Sequence, residues 1–172
     1  MLYLLVALGF MFFAGVAMTI NEGLWSNTIL LISVIISGLA GMIGGVPLGV
    51  VGMEQTGKAG EFAWFFVFAG IWAVFTLCML LMRIVVDKIS RVRVRFLPIV
   101  DKIGGILIGL FAALMLTSFA ANTLKDAPIR AGAWNINDAS EGQKSLFRQV
   151  TTPFFSVSKK FVQAESIKVL GK

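Results

Sequence analysis

The 24 charged residues of this 172-residue chain leave four long stretches empty. Residues 1–21, 23–53, 62–82 and 103–124 hold no Asp, Glu, Lys or Arg, and these runs are 21, 31, 21 and 22 residues long. A helix rising about 1.5 Å per residue needs about 20 apolar residues to cross a bilayer core. Four buried helices of a soluble domain would meet the same description. However, four such runs leave too little polar surface to cover them. With 58% hydrophobic and 14% charged residues, the chain departs from soluble domains, which run about 45–50% apolar and about 25% charged. The sequence therefore predicts an all-α membrane protein. A four-helix membrane domain spans 1–124, with helices near 1–21, 28–50, 62–82 and 103–124. A polar linker and an amphipathic helical tail follow over 125–172.

The charges that remain set an orientation. Segment 83–102 carries Arg83, Lys88, Arg91, Arg93, Arg95 and Lys102 against Asp87 and Asp101, whereas 54–61 carries one Lys and two Glu. Short cytoplasmic loops concentrate Lys and Arg. The basic segment is therefore expected inside, as a topology anchor against anionic lipid headgroups, with the N-terminus, 54–61 and the tail outside. The opening MLYLLVALGF lacks the basic region of a signal peptide. Cleavage after it would also place the basic segment outside. Arg91, Arg93 and Arg95 alternate with valines, but no aromatic platform accompanies them, so a nucleic-acid partner is not expected. Tyr3 and Trp64 fit the outer interface and Trp25 the inner one. Trp72 falls mid-span, either facing lipid or packed between helices.

Within the spans the prominent pattern is glycine. Gly38, Gly41, Gly44, Gly45 and Gly49 cluster in the second run, and Gly41/Gly45, Gly45/Gly49 and Gly105/Gly109 have a spacing of four. Small residues so spaced let helix backbones approach closely. The spacing fits internal packing of the second and fourth helices, or an interface with another copy or another membrane protein. Pro47 is expected to kink or end the second helix. Ser33, Ser37, Thr76, Cys78, Thr117 and Ser118 are mild polar groups, and no span holds an acid or base near its middle. Coupled transporters and pumps retain such groups. The chain also has no His, the commonest general base and metal ligand. No catalytic residue, metal or cofactor is expected, and Cys78 reads as structural. Glu22 reads either as a site or as an interfacial residue in a turn with Gly23.

The tail shows a helical stripe: Leu146, Phe147, Val150, Phe154, Val157 and Phe161, with Arg148, Lys159 and Lys160 opposite. Such a helix suits a membrane interface, its own helices or a partner's groove. Pro153 is expected to break or kink it in the middle.

The stretch RIVVDKI, the basic segment after it, and VDKIGGILIGLFAALMLTSFAAN together resemble the colicin V production protein (CvpA) family of small four-span bacterial inner-membrane proteins. The likeness rests on Asp101-Lys102-Ile103-Gly104-Gly105, where an acidic–basic pair opens a Gly-containing helix. Ser145 and Pro153 before aromatics resemble the family's C-terminal segment. The family often carries basic residues between its first two helices, whereas here TINEGLWSN keeps Gly23 without them. The resemblance implies a bacterial inner-membrane location and an accessory role in toxin export or envelope maintenance. It supplies no catalytic residues. Two mechanisms follow. In one, the chain is a scaffold whose glycine faces bind itself or other inner-membrane proteins. In the other, copies assemble into a pore or small-solute channel lined by Ser33, Ser37, Thr117 and Ser118.

Overall fold

The computed structural model describes residues 1–56, 63–89, 97–125 and 138–159. They form α1 (Leu2–Thr19), α2 (Leu24–Thr56), α3 (Ala63–Ile89), α4 (Pro98–Leu124) and α5 (Glu141–Ser158), with no strand among the described residues. The first four are long and apolar enough to cross a membrane. The protein is an all-α, multi-pass membrane-type fold.

Successive spans run antiparallel, and the close approaches fix their register. Gly15 of α1 meets Ala113 of α4, and Thr19 meets Gly109, so α1 and α4 are antiparallel. Gly105 meets Leu24 and Gly38 meets Phe119, so α2 runs parallel to α4. Gly41, Gly45 and Gly49 of α2 pair in descending order with Phe75, Ile71 and Val67 of α3. One buried cluster joins α2, α3, α4 and α5 around Val34, Met42, Ile71, Phe75, Phe119 and Phe154. A second joins α1, α4 and α5 around Leu4, Leu8, Ala120, Ala121 and Phe147.

The helices are longer than the charge-free runs. Proline does not end α2: the helix passes through Pro47 and reaches Thr56, giving 33 residues, or about 50 Å. Membrane helices tolerate proline where neighbouring helices hold the backbone. Here Gly45 and Gly49, on either side of Pro47, lie flat against α3. Helix α3 continues to Ile89, so Arg83 and Lys88 stand on its last two turns rather than in a loop. Helix α4 begins at Pro98, not near 103, because proline suits the first helical position, where no backbone donor is needed.

Helix α5 opens with a capping box: Ser140 Oγ accepts from Gln143 N–H, and Gln143 Oε1 accepts from Ser140 N–H. Its Leu146, Phe147, Val150, Phe154 and Val157 lie on the predicted stripe, while Phe161 falls outside the described residues. Of the two outcomes expected at Pro153, the break does not occur, since α5 runs on to Ser158. Groups on α4 hold the backbone there.

Candidate functional site

The glycines come first, because their neighbours decide what they do. A methyl group on Gly49 would sit 2.5 Å from Val67 Cα, and one on Gly45 would overlap Ile71 Cα. Gly41 faces the Ile71 carbonyl at 3.0 Å. On the α3 side Gly70 answers, pressed against the backbone of Gly45 and Gly49. These three glycines of α2 therefore meet α3, not α4, and the seam is closed within one chain. Gly38 is the exception: it makes room for the Phe154 ring of α5, 2.6 Å from where a methyl group would stand, and for Phe119 of α4. Gly105 and Gly109 of α4 accept the α1–α2 turn, with Glu22 O, Thr19 Oγ1 and Asn27 Nδ2 all at 2.8–2.9 Å from a would-be methyl.

That turn is tied by polar groups. Asn27 is buried, and its Nδ2–H groups donate to Gly105 O at 2.7 Å and Thr19 O at 3.0 Å, with Glu22 O at 3.4 Å. Asp101 Oδ1 accepts from Leu24 N–H at 2.9 Å, so a carboxylate of α4 caps the first turn of α2. The cap suits the positive end of the α2 dipole. Gly23 lies against the same carboxylate, where a side chain would press on both oxygens. Glu22 itself is exposed in the turn, its N–H bonded to Thr19 O. The segment Asp101–Gly105 thus works as a clamp on the first loop.

A second polar joint lies near the other end of α4. Ser118 Oγ–H donates to Thr151 O at 3.1 Å, and the same oxygen accepts from Phe154 N–H at 2.9 Å. Asn122 Nδ2 donates to Thr151 O and to Ser118 O, both at 2.8 Å. A hydroxyl both donates and accepts, so Ser118 spans the α5 backbone on either side of Pro153. Phe154 is fully buried and meets Phe119 edge to face, at 5.2 Å and 70°. Phe119 stacks on Phe75 at 4.6 Å. Trp72 resolves as packed between helices: it lies against Phe119, and its Nε1–H donates to Thr123 Oγ1 at 3.2 Å.

The basic residues part company. Arg83, Lys88 and Lys102 are exposed at one end of the bundle, while Arg91, Arg93 and Arg95 lie outside the described residues. Ser33, Ser37, Thr117 and Ser118 are all buried within the chain. Thr117 bonds back to Ala113 O at 2.8 Å.

Sequence reasoning missed Gly70, the capping role of Asp101 and the α5 contacts of Asn122. Gly70 is a lone glycine in an apolar run, with no spacing partner to mark it. Asn122, in an otherwise apolar stretch, was the readable signal. Comparison with family models, with curated proteins and with solved structures finds no match for the chain.

Proposed function

We propose that the chain is a non-enzymatic protein of a bacterial inner membrane, of the colicin V production type. In this reading it acts as an accessory or scaffold in toxin export or envelope maintenance. The observation that carries it is the use made of Asp101–Gly105. Asp101 caps α2, Gly104 seats Leu24, and Gly105 receives both the turn backbone and Asn27. Residues spent on fixing one loop to one helix do architectural work, and the segment bearing the resemblance is the segment that does it.

The orientation proposed places Arg83, Lys88 and Lys102 at the cytoplasmic headgroups and the N-terminus and α5 outside. Because the glycine faces are filled from within, contacts with other membrane proteins fall on the bare apolar faces. Phe10, Phe13 and Met18 of α1 and Leu77, Leu80 and Leu81 of α3 are such residues, each more than half exposed. The channel reading gains nothing from Ser33, Ser37, Thr117 and Ser118, since their burial inside one copy leaves them no path to line.

Crosslinking in native membranes, followed by gentle extraction, tests the proposal. Other membrane proteins in fixed ratio with this chain are the expected result. A ring of identical copies that passes solute through liposomes would overturn it in favour of a channel.

A further inference from the structure

At the end of the bundle that holds the start of α1, a cleft of about 510 Å³ opens between the end of α4 and one face of α5. Its volume lies within the about 300–1,000 Å³ of small-molecule sites. Three cationic side chains stand around it: Lys125, directly after the last residue of α4, and Lys144 and Arg148, one turn apart on α5. All three are exposed. Phe147 and Phe155 give it apolar walls, and Thr152 adds a hydroxyl. Among the described residues no carboxylate lines it. Glu141 pairs with Lys144 at 3.0 Å but stands almost fully exposed, where such a pair is screened and weak.

The depth of the cleft narrows its ligand. Lys125 follows the apolar run of α4 without a gap, so the cations stand where a span leaves hydrocarbon for headgroups. Lysine and arginine at that depth attract anionic lipid, and the arginine fork matches a phosphate. A soluble phosphate would use the cations and leave both rings idle. An amphiphile with an anionic head and an acyl chain uses all of them.

We propose that this cleft binds one anionic phospholipid in the leaflet on the N-terminal side. Lys125, Lys144 and Arg148 hold the phosphate, and Phe147 and Phe155 receive the first methylenes of a chain. The site is separate from Arg83, Lys88 and Lys102, which lie at the opposite end of the spans.

The test uses the full chain in discs of phosphatidylcholine, with bound lipid counted by native mass spectrometry during titration with phosphatidylglycerol. Phosphatidylglycerol is expected to be preferred over phosphatidylcholine by at least about tenfold, as one or two headgroup–cation contacts provide. Lys125→Gln/Lys144→Gln/Arg148→Gln should lose one preferentially bound phosphatidylglycerol per chain, and Arg148→Gln alone should weaken its binding. Lys159→Gln, at the end of α5 and outside the cleft, should leave it intact. Equal binding of the two lipids, or full preference in both cleft variants, overturns the proposal. If soluble glycerol phosphate displaces phosphatidylglycerol at equal concentration, the occupant is a soluble phosphate compound and the lipid assignment fails.

Discussion

Helices α2 and α3 meet along a seam of bare backbone, whereas α4 and α5 meet through side chains. In the first, Gly45 and Gly49 are matched by Gly70, Gly41 faces the Ile71 carbonyl, and main chain rests on main chain. In the second, Ser118 and Asn122 grip the backbone around Pro153, and Phe154 enters a space that Gly38 leaves open. The contrast follows from what drives each association. Two apolar spans in lipid gain little from burying apolar surface against each other, so they hold by close packing. Helix α5 is polar on one face and has water as an alternative, so specific anchors must keep it on the bundle.

Four substitutions probe that difference. Gly45→Leu should do most damage, because its Cβ alone would overlap Ile71 Cα and neither backbone can yield. Loss of folded protein, beyond the about 1–3 kcal/mol usual for overpacking, should appear in unfolding titrations in mixed detergent. A wild-type midpoint would show that the seam opens freely. Phe154→Ala should cost about 3–5 kcal/mol and free α5 for limited proteolysis while leaving the spans protected. If cleavage within 141–158 does not accelerate, the ring is not the anchor.

Ser118→Ala comes next, at about 1–3 kcal/mol, because the Phe154 N–H loses its hydroxyl acceptor inside the bundle. Hydrogen exchange at Phe154 should rise well above that at Val150, and equal rates would count against the bridge. The smallest change is Gly142→Ala. No atom stands within 4 Å of the added methyl, so a gain of about 0.5–1 kcal/mol in α5 is expected from helix propensity alone. A loss there would mean that the start of α5 bears a contact not seen in this arrangement.

How far the fold could be read in advance varied with the kind of force involved. The four spans were legible because charge is excluded from hydrocarbon, and that exclusion acts on each segment separately. The helix ends were less so: 83–89 and 98–102 looked like a loop because they are charged, yet α3 and α4 run through them, and charge opposes a helix only where it would enter hydrocarbon. Both prolines were expected to kink their helices or to end or break them, and neither helix stops at its proline. That rule counts only local hydrogen bonds, and it fails where α3 supports α2 or where Ser118 supplies a bond from α4. The glycine spacing announced close packing but not its partner, since a glycine face has no feature that names what fills it.

The sequence by itself determined that the chain has four segments long and apolar enough to cross a membrane, that its polar tail forms an amphipathic helix, and that glycines would bring backbones together. These follow from the residues of single segments and the solvent around them. Only the tertiary structure decided that α3 takes the α2 glycines, that Asp101 caps a helix 77 residues earlier in the chain, and that α5 closes over α4. Those outcomes depend on which surfaces fit once every helix is in place, and on polar groups finding their partners across the bundle rather than along it.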